Sequence, residues 1–189
     1  MASMKILLTG ETGTIGREFK RQATLAGHEI VVTGDITSMD ATRRIWWPGV
    51  DALAHFAAAG VRFTAQDRTW ADCMGVNLVG TLNLLDSITL SKCKPAVFVP
   101  GSIRELETLD VPHLWRDPYV VSVISRSRAI SEWAMDYPGF FASPKLPRLG
   151  DAAAVECAVA KILKDIADVC DHQPTSKAVP LDRDGLIYA

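Results

Sequence analysis

Three glycines near the start constrain this chain more than any other feature. Thr9 to Gly16 reads Thr-Gly-Glu-Thr-Gly-Thr-Ile-Gly, a G-x-x-G-x-x-G run. An apolar segment, Lys5–Thr9, precedes it, and a helical pattern from Thr14 to Ala26 follows. A glycine turn between a buried strand and a helix suits phosphate binding. Gly10 permits the tight turn, Gly13 lets backbone approach a diphosphate, and Gly16 lets the helix pack closely on the sheet. Uncapped N–H groups at the helix start, among Thr12, Thr14, Ile15 and their neighbours, then face the anion.

The rest of the chain alternates strand and helix patterns. Strands are predicted at 29–33, 51–56 and 96–99, and helices at 40–47, 72–90, 120–137 and 152–170. Such alternation implies βαβ units, hence an α/β fold with a doubly wound parallel sheet and helices on both faces. One domain is expected over residues 1–189, with 5–137 as a dinucleotide-binding core and 138–189 as a reduced C-terminal lobe. Residues 101–118 and 138–151 read as the longest irregular stretches, and 181–188 as a small edge strand. Val155, Val159, Ile162, Leu163, Ile166 and Val169 form one apolar stripe suited to core packing.

Composition narrows the function. The chain carries 20 Lys plus Arg against 22 Asp plus Glu, so its charge of -2 draws it to neither nucleic acid nor an anionic membrane surface. No 18 consecutive residues are all apolar, so no membrane span is expected. Four dispersed cysteines without CxxC spacing read as reduced thiols, and with no signal-peptide layout they imply a cytoplasmic setting.

Further motifs follow in order: Gly34-Asp35-Ile36, Asp51-Ala-Leu-Ala-His55-Phe56-Ala57-Ala58, Asn77-Leu-Val-Gly80-Thr81, Val97-Phe-Val-Pro-Gly-Ser102 and Ser127-Arg128-Ala-Ile-Ser-Glu132. With the glycine turn, this ordered set resembles the extended or atypical short-chain dehydrogenase/reductase family, the NAD-dependent epimerase/dehydratase group, over residues 5 to 137. The resemblance implies a Rossmann-like fold and an NAD or NADP cofactor held by Gly10, Thr12, Gly13, Thr14, Ile15, Gly16, Asp35, Ile36, Phe56, Ala57, Ala58 and Asn77. It also implies a small carbonyl or hydroxyl substrate and a homodimer paired through the helices at 72–90 and 120–137. Family members work with Ser/Thr, Tyr and Lys.

Three departures stand out. One strand does the work of two before Asp35, which lies 19 residues after Gly16 and is either the ribose acid or the adenine-edge residue. The family's Tyr-x-x-Ser-Lys aligns with Ile124, Ser127 and Arg128, so a proton-transferring Tyr and Lys are replaced. Only 52 residues follow Tyr137, too few for a full substrate lobe. The candidate catalytic residues are therefore Ser102, Arg128 and Tyr119, with His113 and Glu105 as other proton donors. Trp70, His113, Trp115, Phe140 and Phe141 are candidate ligand contacts. His55 reads as a core histidine. The function expected is that of an NAD(P)-binding protein of this type with non-standard acid/base residues. The alternatives are a non-redox lyase, isomerase or cyclase on the same scaffold, or an inactive cofactor-binding protein.

Overall fold

A computed structural model describes residues 3–60, 69–107, 116–146 and 151–171. Five parallel strands form the main sheet: β1 (Lys5–Thr9), β2 (Glu29–Val32), β3 (Ala52–His55), β4 (Ala96–Phe98) and β6 (Phe141–Ala142), in the order β2-β1-β3-β4-β6. A second parallel pair joins β5 (Gly101–Ser102) to β7 (Lys145–Leu146). The helices are α1 (Thr14–Leu25), α2 (Met39–Arg43), α3 (Trp70–Cys73), α4 (Thr81–Ser91), α5 (Arg104–Glu107), α6 (Pro118–Asp136) and α7 (Ala152–Asp171). Between α3 and α4 the helix continues as a π-helical stretch, Met74–Gly80.

Alternation along β1 builds both faces. Ile6 and Leu8 point into a cluster with Phe19 and Ala23 of α1 and Val155, Val159, Ile162 and Ile166 of α7. Leu7 points the other way, with Leu53, Val97, Leu85 and Ile88 of α4, and Ile130 of α6. The sheet is thus covered on both sides, the doubly wound Rossmann-like arrangement expected. The α7 stripe is core: Val159, Ile162 and Ile166 are fully buried.

The chain leaves β1 for β2 on one side and returns to β3 on the other. Ligands of such sheets bind where the order reverses, outside the carboxyl ends of the strands. The loops after β1 and β3 flank that point. On the far side the sheet ends at β2, so a single strand lies between the glycine turn and Asp35, doing the work of two.

Some elements differ from the sequence patterns. Helix α2 stops at Arg43, four residues before the predicted end, because Trp47 turns inward and donates its indole N–H to Ser87 Oγ at 2.8 Å. The stretches at 101–118 and 138–151 contain β5, α5, β6 and β7, pairs too short to carry a periodic signal. The strand proposed at 181–188 lies outside the described residues. The continuous helix from Trp70 to Ser91 is long and apolar enough, by length and composition, to cross a membrane, although polar residues interrupt its apolar run; half of its most apolar 18-residue stretch is buried inside the fold.

Candidate functional site

The first half of the site is the turn after β1. Gly10 has φ +74, a conformation that side chains rarely adopt. A Cβ there would lie 2.5 Å from the Ala57 nitrogen and the Phe56 carbonyl carbon. A Cβ at Gly16 would lie 2.1 Å from the Gly10 oxygen. The first and third glycines therefore let two loops and a helix meet backbone to backbone. Gly13 caps α1 in extended conformation, and no side chain caps that helix end. Thr12, Gly13 and Thr14 are exposed, while Ile15 leans on the core. The start of α1 thus offers uncapped backbone donors and the positive end of its dipole to solvent.

A buried chain of hydrogen bonds sets the opposite wall. The Ala57 N–H donates to Thr9 Oγ1 at 3.2 Å, and Thr9 bonds His55 Nδ1 at 2.5 Å. His55 Nε2 bonds Thr81 Oγ1 at 2.8 Å, and Thr81 donates to the Asn77 carbonyl at 2.7 Å. Each hydroxyl has one hydrogen, so the directions are fixed. Thr9 donates to Nδ1, and Nε2–H donates to Thr81, giving the neutral Nε2–H tautomer. Burial, together with the Arg126 charge, holds the His55 pKa down at about 3. His55 is a core histidine, as its place in a strand suggested.

Asn77 is fully buried in the π-helical stretch, a common location for functional side chains. Its Oδ1 accepts from the Ala59 N–H at 2.8 Å, and its Nδ2 donates to the Ala59 carbonyl at 3.0 Å and to Ser122 Oγ at 2.8 Å. It ties the loop after β3 to α6. Phe56 packs its ring against Phe19, and Ala58 is exposed on the loop. Beside β2, Asp35 is exposed and its Oδ1 accepts from the N–H and hydroxyl of Thr37, which lowers its pKa. Ile36 is buried against Gly80, where a Cβ would sit 2.7 Å from Ile36 Cγ1. Asn83 Nδ2 donates to the Ile36 and Thr37 carbonyls, fixing that turn.

The second half of the site lies beyond β4. Helix α6 begins at Asp117, whose side chain accepts from the Tyr119 N–H, with Pro118 in its first turn. Ser122, Val123, Arg126, Ile130 and Ala134 face inward. Arg128 does not: it is 80% exposed and pairs with Glu132 at 3.1 Å. The polar i, i+4 pair turned to the interior is Ser122 and Arg126, two residues earlier than the motif alignment placed it. Val120, Val123, Ile130 and Ala134 mark that face in the sequence, and Arg126 falls within it.

Arg126 is 4% exposed and donates from Nη2 to the Pro100 carbonyl at 2.8 Å. Its Nε is buried and has no hydrogen-bond partner among the described residues. Desolvation lowers its pKa, opposed by the nearby Glu105 and Tyr119. Tyr119 and Arg126 are seven residues apart, two turns along one helix face. Nearby, Glu105 Oε1 accepts from the Ser102 N–H at 2.6 Å. Its Oε2 accepts from Ser127 Oγ at 2.5 Å and from Lys145 Nζ, which also reaches Ser127 at 3.1 Å. With both carboxylate oxygens taken up by these three donors, Glu105 serves as an anchor rather than the proton donor considered for it. Ser102 is half-buried, its Oγ accepting from the Arg104 N–H at 3.3 Å.

The candidate apolar contacts divide. Phe141 is buried in β6 and Phe140 packs on the core, so neither lines a ligand site. Trp70 is half-exposed, and His113 and Trp115 lie outside the described residues. A cavity of about 400 Å³ lies elsewhere, between Trp47, Asp51, Cys93 and Cys170 near the amino ends of β3 and β4.

The fold and glycine turn define a Rossmann-like α/β domain. The model of the NAD dependent epimerase/dehydratase family matches residues 6–143, and the chain belongs to that family. Among solved structures, the UDP-glucose 4-epimerase of Thermus thermophilus in complex with NAD superposes with TM-score 0.59 at 20% identity, covering 76% of this chain and 55% of that one. RMD from Pseudomonas aeruginosa, complexed with NADPH, gives 0.61 at 19%, covering 76% and 54%. The Bordetella bronchiseptica enzyme WbmH in complex with NAD+ gives 0.66 at 13%, covering 88% and 73%. The chain spans about half the length of the first two. No curated protein sequence matches it.

Proposed function

We propose that this chain binds NAD or NADP and acts on a small carbonyl or hydroxyl substrate with a rearranged set of acid/base residues. The observation that carries this is the open, uncapped start of α1 at the switch point, with Gly10 and Gly16 leaving no room for side chains. These residues fit a diphosphate. Gly13, Thr14, Ile15 and Gly16 would hold it, Ala57 and Ala58 would line the cofactor's path, and Asp35 and Ile36 would meet the adenosine end. Bound there, the cofactor supplies hydride exchange at its nicotinamide.

The chain's own residues orient the substrate and handle its proton. Glu105, Ser127 and Lys145 clamp the Ser102 backbone, so the Ser102 hydroxyl is positioned to polarise a substrate oxygen. Tyr119 carries an exchangeable proton on the Arg126 face of α6 and stands in for the missing tyrosine. Arg128 takes no part. The second reading, a cofactor-binding protein without turnover, is favoured by Ile124 and Arg128 at the positions of the Tyr and Lys in the motif alignment. Fluorescence titration with NADH and NADPH, followed by turnover assays on carbonyl substrates with Tyr119→Phe, separates the two. Binding with turnover, reduced 10²- to 10⁴-fold in the variant, supports catalysis. Binding without turnover supports the second reading, and no binding at millimolar cofactor refutes both.

A further inference from the structure

Arg126 is a buried cation that the described residues do not fully pair. It is 4% exposed, its Nη2 bonds a backbone carbonyl, and its Nε has no hydrogen-bond partner among them. Glu105, whose charge acts on Arg126, is itself bound to Lys145, Ser127 and the Ser102 N–H. His55, also close, is locked neutral by Thr9 and Thr81. Among the described residues the group Arg126, Lys145, Glu105 and His55 therefore sums to one positive charge. A buried, incompletely paired cation destabilises a fold, and a hydrophobic side chain of like volume would be cheaper. Pro100, its acceptor, immediately precedes β5 and Ser102, so the charge sits at the carboxyl edge of the sheet beside the candidate catalytic serine.

We propose that Arg126 is a substrate-recognition residue for a carboxylate, so that the substrate is a small oxo or hydroxy acid; this rests on the reading of the site given above. A planar guanidinium matches a carboxylate with two parallel N–H···O bonds, a fit that an ammonium lacks. The ligand anion balances the charge that the described residues leave open.

The test uses oxamate, an unreactive carboxylate, against its neutral amide, oxamide. Calorimetry is run on the protein alone and with NADH, and NADH binding is measured on the same samples. The expected result is binding of oxamate and not oxamide. Arg126→Gln should weaken oxamate about 30-fold, ~2 kcal/mol at 1.4 kcal/mol per decade. Arg126→Lys should recover only part of that, with the NADH affinity within twofold throughout. Equal response of the wild-type protein to oxamate and oxamide overturns the proposal and needs no variant to fold. So does an Arg126→Gln effect on NADH alone, which would assign the guanidinium to the cofactor. Failure of NADH to bind refutes the dinucleotide reading, while the oxamate comparison on the protein alone still decides the anion site.

Discussion

Replacing Gly10 by alanine places a methyl group between the two loops that frame the switch point. Two costs add. The residue must hold φ +74, which costs an L-residue ~1 kcal/mol. The new Cβ would stand 2.5 Å from backbone atoms of Phe56 and Ala57, which no rotamer change relieves. The loops must part by about 1 Å to restore van der Waals contact, and overpacking of this kind costs ~1–3 kcal/mol. Reduced entropy of the unfolded chain returns ~0.5 kcal/mol. The net loss is ~1.5–3.5 kcal/mol, or about 3–14 °C in Tm for a chain of this length. Gly49 is the control: its φ is +78 and a Cβ there would meet nothing within 4 Å, so Gly49→Ala carries the backbone cost alone, below ~1 kcal/mol. Scanning calorimetry with NADH titration reads both variants. Gly10→Ala should show the larger drop in Tm and lose at least tenfold in NADH affinity; equal Tm shifts in the two variants would refute the close-approach reasoning.

Three further outcomes follow from the same structure. His55 titrates near 3 when folded against 6.5 when unfolded, so the unfolded state binds more protons between these values. Stability present above pH 6.5 is therefore lost as pH falls, ~2 kcal/mol by pH 5 at 1.4 kcal/mol per unit, and a His55→Asn variant should show a flatter Tm profile from pH 7 to 5. Asn77→Ala removes three hydrogen bonds, strands the Ala59 N–H and leaves the Ala59 carbonyl only the Cys73 thiol; chemical denaturation should show a loss of ~2–4 kcal/mol, and an unchanged midpoint would deny that Asn77 holds the loop. We also propose a homodimer, because Val79, Leu82 and Leu90 form an exposed apolar stripe along the helix at 70–91. Light scattering at micromolar concentration should give twice the chain mass, and Leu82→Glu should return the single-chain mass.

Much of the fold was legible because single elements carried complete signals. Lys5–Thr9 followed by Gly10 announces a buried strand and its turn, and the α7 stripe matches its buried face. The short strands β5, β6 and β7 were not legible, since two residues hold no period and their pairing joins positions 44 residues apart, Val97 with Phe141 and Gly101 with Lys145. The site was half legible. The cradle is local to residues 9–16, and Asn77 and His55 lie within their motifs. The far side depends on which way α6 turns. Ser127, Arg128 and Glu132 suggested one face by motif, while Val120, Val123, Ile130 and Ala134 dictate another by burial, and burial prevails because it commits more free energy than any exposed pair. Lys145 was invisible for the same reason as β7: only tertiary contact brings it to Glu105.

The most direct measurement is a proton–nitrogen NMR titration of the backbone amides with NADH. The largest shifts should fall on Gly13, Thr14, Ile15 and Gly16, with a second set at Ala57 and Ala58. Shifts confined to the Trp47–Cys170 cavity, or none at millimolar NADH, would contradict a diphosphate seated on the start of α1.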